Sequence, residues 1–382
     1  MSINKFVAPE IIFGPNSLAQ VGDSILRLGA KKVFVVTDPG LIEAGWISKT
    51  LEHLTEVNLE HEIWSQITAN PKDFEISQGL EQYRKTNCDS VLAIGGGSPI
   101  DAAKAIALLA TNLGEIKDYE GVDKITRPLP PMIAMSTTAG SGAEVSQFAI
   151  IVDSKRRSKM TIVSKSLIPD IAIIDPLFLM TKENSLTANT GLDALTHAIE
   201  AYTSIAATPL TDVMALKAIK LIGENLRPSV ATRTNPQAKT HMAMASLQAG
   251  LAFSNAILGA VHALSHQIGG HFDAAHGEIN AILLPHIMEY NFLACQDKYV
   301  EIANALGVET SKLSKREAAL MAIEEIRNLA KDVGVPLKLR QLEIPADSLE
   351  LMANMAINDI CLVTNPRDVN PENLLEILRT AW

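Results

Sequence analysis

An α/β domain over residues 1–180 followed by an all-helical domain over residues 181–382 is the architecture this sequence predicts. Three observations lead there. Up to Met180, short β-rich runs alternate with helical ones, the pattern of a parallel sheet covered on both faces. Beyond Met180 the strand-like runs stop and amphipathic helical segments continue to the last residue. A length of 382 residues suits two domains.

In chain order, KKVFVVTDPG reads as a strand ending at Asp38, Pro39 and Gly40, and HEIW as a weaker strand. Phe74 to Lys85 has helical periodicity. SVLAIGGGSPIDAAKAIALLAT is a strand, a glycine turn and a helix, and PMIAMSTTAGSGAE repeats the strand-then-loop pattern with small residues. FAIIVDSKRRSKMTIVS is a hairpin with a charged turn, and DIAIIDP is one more strand. PLFLMTKENSLTANTG, with Ser and Thr suited to capping, reads as the connection between domains. Helices are then expected in TPLTDVMALKAIKLIGENL, KTHMAMASLQAGLAFS, SKREAALMAIEEIRNLAKDVG and PENLLEILRTAW, with a cleft between the two domains.

Composition narrows the function. Hydrophobic residues make up 47% and charged residues 20% of the chain, enough for a large core. A net charge of −10 with no basic block argues against nucleic acid or an anionic membrane as partner. Cys88, Cys295 and Cys361 are scattered and odd in number, which excludes a disulfide framework and a zinc knuckle. The opening MSINKFVAPE has no apolar leader core and no charge-free window approaches a membrane span, so a cytoplasmic location is expected.

Two loops of the first half have the chemistry of phosphate binding. Gly95, Gly96, Gly97 and Ser98 follow a strand and open a helix, where bare backbone permits close approach and the helix N-terminus offers free N–H groups. Their spacing is not the GxGxxG fingerprint, and one glycine turn alone is often only a tight turn. Thr137, Thr138, Ala139, Gly140, Ser141 and Gly142 form a second such loop after another strand, and two loops on one edge of a parallel sheet are where α/β proteins bind nucleotides. Asp38 ends an earlier strand, where its carboxylate could accept both ribose hydroxyls of NAD and would repel a 2′-phosphate; it reads equally well as a turn aspartate.

The second half holds the other concentration of chemistry. Between Gly259 and Gly277, His262, His266, His271 and His276 are embedded among Ala, Gly, Ile and Leu, and upstream Asp193 and His197 lie four residues apart in TGLDALTHAIEAY. Positions i and i+4 share a helix face, so Asp193 can point with His197, and His262 with His266, at one spot. A lone histidine on a buried helix is usually a core residue bonded to a carbonyl. Two such pairs with a trailing His-Gly instead suit a divalent transition metal such as iron, zinc, manganese or nickel.

Taken together, these motifs resemble the iron-dependent (group III) alcohol dehydrogenases over essentially the whole chain. GGGSPIDAAKAIA is similar to the family's GGGSxxDxAKAIA, TTAGSGAE to TTAGTGSE, and TGLDALTHAIEAY and HALSHQIGG with the later His-Gly to its two metal signatures. The resemblance implies a dehydroquinate-synthase-like fold, with NAD and metal meeting in the cleft, and at least a homodimer. It implies Asp193, His197, His262 and His276 as metal ligands. Spacing alone would have added His266; the resemblance places it beside the metal, near nicotinamide and substrate, as a proton-moving group. Gly96, Gly97 and Ser98 would hold the pyrophosphate, Thr137, Thr138 and Ser141 the nicotinamide side, Asp38 the adenosine ribose and Lys159 a ribose hydroxyl, with Asn70 a weaker contact. Ser141 stands for the family's Thr, Ala143 for Ser, and Ala275 for a frequent Pro before His276.

The implied activity is hydride transfer between NAD and a small neutral primary alcohol, diol or aldehyde. The implied metal is Fe2+, and the donor set also admits Zn2+. No Lys or Arg occurs from His241 to Asp297, so a phosphorylated or carboxylated substrate lacks its usual partner there. Phe148, Phe253 and Cys361 are candidate pocket walls or ordinary core. The rival readings are a glycerol-dehydrogenase-like zinc enzyme, a dehydroquinate-synthase-like lyase, and a catalytically silent metal- or nucleotide-binding module.

Overall fold

The computed structural model describes residues 5–382. The chain divides into two compact units, one comprising Val7–Thr138 with Gly142–Thr181, the other chiefly Lys182–Trp382 with Ala139–Ser141.

In the first unit, strands β1 (Glu10–Phe13), β2 (Lys32–Val36), β3 (Glu60–Trp64), β4 (Ser90–Gly95), β6 (Met132–Ser136) and β9 (Ile171–Ile174) form a six-stranded sheet in the order β1-β9-β6-β4-β2-β3, every pair parallel. A second sheet joins β5 (Gly121–Val122), β8 (Ser158–Val163) and β7 (Phe148–Asp153), with β7 and β8 forming the expected hairpin. Helices α1 (Val21–Arg27), α2 (Pro39–Glu43), α3 (Trp46–Glu56), α4 (Asp73–Lys85) and α5 (Gly97–Thr111) complete the unit. Both faces of the large sheet are buried. On β2, Val33 and Val35 join a core with Ile47 and Leu54 of α3, whereas Phe34 and Val36 join another with Ile100 and Ile106 of α5. Side chains alternate across a strand, so continuous apolar runs are what a doubly covered sheet requires. β1 and β5 went unread in the sequence because EIIF begins with a charge and GV is too short to show a period.

Strand order fixes where a ligand fits. From β2 the chain steps outward to β3, then returns across β2 to β4 and continues to β6 on the other side. The reversal opens a crevice at the C-terminal ends of β2 and β4, the usual ligand position in such sheets.

The second unit contains only helices and short 3₁₀ turns among its described residues: α6 (Asn184–Thr203), α7 (Pro209–Ala231), α8 (Pro236–Ala256), α9 (Ala260–Phe272), α10 (His276–Ala305), α11 (Lys315–Asp332), α12 (Leu349–Ala356) and α13 (Pro371–Ala381). Thr208, Asn235, Ser314 and Asn370 cap α7, α8, α11 and α13 through their side chains. The expected connection is shorter than the sequence suggested, since α6 already begins at Asn184. Thr187 and Thr190 do not cap; their hydroxyls donate back to the carbonyls of Glu183 and Leu186 and are absorbed into the helix. No single described helix is long and apolar enough to cross a membrane; α8 and α9 reach that test only as a pair bent by 102°.

That bend passes through Ile257 at φ 61°, ψ −167°, a conformation costly for a β-branched residue. It is over-determined by neighbours: the Ser204 hydroxyl donates to the Ala256 carbonyl and the Thr364 hydroxyl to the Leu258 carbonyl. The helices also approach closely. A Cβ on Gly277 would lie 2.3 Å from the Asn189 carbonyl oxygen of α6, and one on Gly191 would lie 2.3 Å from Leu226 Cδ1. Because the obstacle at Gly277 is backbone, Gly277→Ala is expected to lower stability by about 1–3 kcal/mol, read from denaturant unfolding at unchanged m. A loss below about 0.5 kcal/mol would show that α6 and α10 can separate without cost.

Candidate metal and cofactor sites

Three helices of the second unit deliver one ligand atom each to a buried point. Asp193 (α6), His262 (α9) and His276 (α10) offer donor atoms that all lie within 4.8 Å of one another. Their convergence is visible at Asn280, four residues after His276 on the same helix face. Asn280 Nδ2 lies 2.7 Å from Asp193 Oδ1, 3.2 Å from His262 Nε2 and 3.1 Å from His276 Nε2. One amide group has two hydrogens and cannot serve three acceptors at once. A divalent cation can, and a carboxylate with imidazoles is a set it accepts.

His197 lies alongside. Its Nδ1 is 3.9 Å from Asp193 Oδ2, and its ring stacks between Phe253 and His262 with centroids 4.4 and 4.5 Å away. In this orientation it falls outside the trio, yet its buried Nδ1 has no hydrogen-bond partner. Burial outweighs the pull of Asp193 and lowers its pKa to about 4, so the ring is neutral and keeps a lone pair for a cation. The donor set and this orphaned nitrogen therefore fit a metal. His271 packs on Phe272 and belongs to neither cluster among the described residues. His266, which spacing alone made a ligand, groups instead with Asp359 and Cys361.

Sequence reasoning missed three supporting residues. Glu200 continues the Asp193–His197 face at i+7, a signal that was available. Its Oε2 accepts from His262 Nδ1 at 2.5 Å, and its Oε1 from the Val261 N–H at 2.7 Å, an otherwise unsatisfied donor in the first turn of α9. With Nδ1 donating, His262 must present its Nε2 lone pair toward Asp193 and His276. Burial pushes the Glu200 carboxyl up to about 7. Asn280 was signalled only by its i+4 relation to His276. Asp359 lies in a distant loop and carried no signal. Ala275, at the N-cap of α10, has φ −63°, a value that proline also takes.

In the first unit, the cofactor candidates gather at the C-terminal strand ends. Gly96 is the N-cap of α5 and Gly97 and Ser98 begin it, with no side chain capping the turn. Thr137 and Thr138 follow β6, the strand paired with β4. Thr37 Oγ1 and Thr137 Oγ1, after β2 and β6 on either side of the glycine turn, are buried without a hydrogen-bond partner. Orphaned hydroxyls flanking free helix N–H groups fit a dinucleotide. Asp38 also fulfils its plainer role, capping α2 by accepting from Leu41 N at 3.0 Å through Oδ1. Asn70 follows β3 with a left-handed φ of 51°. Lys159 is buried on β8, in the smaller sheet rather than at the strand ends of the larger. Ser141 clusters with the helical unit, as does Gly140. Phe148 is buried in β7, and Phe253 is the stacking partner of His197.

Comparison with known proteins shows the family to which the whole chain is similar. The family described as iron-containing alcohol dehydrogenase matches residues 8–176, and the C-terminal part of the Fe-containing alcohol dehydrogenase family matches residues 187–382. The 1,3-propanediol dehydrogenase of Citrobacter freundii is 44% identical over 99% of this chain and 98% of its own. The NAD-dependent methanol dehydrogenase of Bacillus methanolicus is 38% identical over 99% of each chain. A solved 1,3-propanediol oxidoreductase superimposes with a TM-score of 0.97 at 42% identity, covering 100% of both chains.

Glu200→Gln is expected to weaken Zn(II) binding by about 10- to 100-fold, measured by competition with a chromophoric chelator. Unchanged affinity would remove Glu200 from the support of His262.

Proposed function

The chain belongs to the iron-containing alcohol dehydrogenase family and is an NAD-dependent alcohol dehydrogenase; from that premise we propose which residues perform the reaction and on what substrate. Asp193, His197, His262 and His276 hold Fe2+, with Zn2+ also accommodated by the same donors. The observation that carries this is the convergence of Asp193, His262 and His276 on the Asn280 amide. When bound, the cation supplies Lewis acidity toward an alcohol oxygen, and toward a carbonyl in reverse. One carboxylate and three neutral imidazoles leave a dication with a net charge of about +1, which favours a developing alkoxide.

The remaining work falls to side chains and backbone. His266 accepts the hydroxyl proton in oxidation and returns it in reduction. Gly96, Gly97 and Ser98 bind the pyrophosphate through α5 N–H groups, Thr137, Thr138 and Ser141 line the nicotinamide, and Asp38, Lys159 and Asn70 contact ribose. Apolar Phe253 covers His197 and helps exclude water from the ligands. The substrate is a short neutral primary alcohol or diol. Support comes from the absence of Lys and Arg between His241 and Asp297 and from the propanediol and methanol named for two relatives. Three free, buried cysteines support a reducing compartment, the cytoplasm. Exposed Ile205, Leu210, Val213 and Val363 offer apolar surface to a homo-oligomer of at least two copies.

The test is an anaerobic screen of methanol, ethanol, 1-propanol, 1,3-propanediol and the matching aldehydes with NAD, using protein loaded with Fe(II) or Zn(II). Turnover should vanish on chelation and return with metal. His262→Ala, kept folded, should bind metal substoichiometrically and show no turnover; full activity with stoichiometric metal would refute the ligand assignment. Asp38→Asn keeps a capping acceptor while removing the charge. It should raise the kcat/KM ratio of NADP to NAD by about tenfold or more with Tm unchanged. An unaltered ratio would leave Asp38 with its capping role alone.

A further inference from the structure

We infer that Asp359 is the positioning residue of His266, fixing which imidazole nitrogen is open to the alcohol proton. The inference rests on the dehydrogenase reading above and on His266 as its proton-moving group. His266 sits one helical turn after His262. Its ring stacks on His276 with centroids 5.7 Å apart and planes at 14°, and lies edge-on to His262 at 6.0 Å. Asp359 arrives from a loop 93 residues further along and is buried, at the N-cap of the 3₁₀ turn Ile360–Thr364.

Both Asp359 oxygens are engaged. Oδ2 accepts from His266 Nδ1 at 2.9 Å and from Gln267 Nε2 at 3.2 Å, and Oδ1 accepts from Cys361 N at 2.9 Å. A carboxylate held by donors on each oxygen cannot swing away from the ring. A carboxylate that already accepts from Gln267 and Cys361 accepts from the ring as well, so the His266 hydrogen resides on Nδ1 and the lone pair on Nε2. In oxidation the alcohol O–H bond breaks and an Nε2–H bond forms; NAD, when bound, would supply the acceptor for the hydride that the carbon loses. Asp359 then faces the imidazolium as its counter-charge, and the proton leaves from Nε2 to solvent. Reduction reverses each transfer. His266, Asp359 and Cys361 also bring one potential ligand atom each within 4.8 Å. The direct His266–Asp359 bond makes the group a proton-handling pair, and burial keeps the Cys361 thiol protonated.

The experiment compares Asp359→Asn, Asp359→Glu, His266→Gln and the Asp359→Asn/His266→Gln double variant, each loaded with metal. Asp359→Asn should lower kcat by about 10²-fold with KM and metal content little changed, because an amide can donate to Nδ1 and reverse the tautomer. Asp359→Glu should recover part of the loss. In the His266→Gln background, Asp359→Asn should cost less than about twofold, since the pair acts as a unit. The Zn(II)-loaded native enzyme, labelled with ¹⁵N-histidine and assigned against His266→Gln, should show the Nδ1–H tautomer at His266, a result independent of turnover and of variant folding. Equal losses in both backgrounds, loss of metal from Asp359→Asn, or an Nε2–H tautomer would overturn the inference. A fully active His266→Gln would overturn the proton role of His266 itself, a failure distinguishable from an impaired His266→Gln beside an unaffected Asp359→Asn.

Discussion

The helical unit depends on aiming several lone pairs at one buried point. Asp193, His262 and His276 come from three helices, and the atoms they present are all acceptors when His262 Nδ1–H donates to Glu200. Acceptors gathered in a low-dielectric interior are costly unless something positive lies between them. The Asn280 amide gives a partial answer with two hydrogens for three atoms. The surroundings answer geometrically: Ser265 donates to Asn280 Oδ1 and fixes the amide's direction, and Glu200 ties the start of α9 to α6 through both oxygens.

Such a cage requires helices closer than ordinary side chains permit, which accounts for the glycines. Gly277 lets the first turn of α10 pass over the Asn189 carbonyl, where Asn189 Nδ2 also donates to Glu278. A Cβ on Gly259 would stand 2.9 Å from Glu200 Oε1, so that glycine leaves room for the carboxylate orienting His262. The strained Ile257 bend belongs to the same construction. It turns the chain by 102° from α8 into α9, and without that turn His262 would not face α6.

Legibility in the sequence followed the range of the interactions. The parallel sheet was readable because burial on both faces leaves continuous apolar runs such as KVFVV and SVLAIG. Asp193, His197, His262 and His266 were readable as polar pairs at helical spacing in apolar surroundings. Spacing grouped His266 with His262 and could not show its pairing with a distant residue, because i+4 reports a shared face and not which neighbour a side chain meets. That neighbour, Asp359, is supplied by a loop whose sequence NDICLVTNPRD shows no period linking it to α9. The start of α6 was misread for a related reason: Thr187 and Thr190 bond backward into a helix they seemed suited to begin. The ligand set beyond a general metal site came from family resemblance, and spacing could not have supplied it.

In the proposed function the two units hold their cofactors by different means, and this decides how each tolerates change. The glycine turn before α5 works through backbone N–H groups, so most substitutions there act by adding bulk. A Cβ at Gly95 would meet Pro99 at 2.4 Å, whereas one at Gly96 would meet Thr138 at 3.3 Å. The proposed metal cage works through side-chain lone pairs, and each removed donor leaves the other acceptors facing one another. Binding energy in the first case is spread over groups every residue carries. In the second it is concentrated in a few residues, each oriented by another: Glu200 for His262, Asn280 for the trio, Asp359 for His266. Substitutions around the metal should therefore act through orientation before stability, because an imidazole turned to its other nitrogen keeps its volume and packing while losing its lone pair.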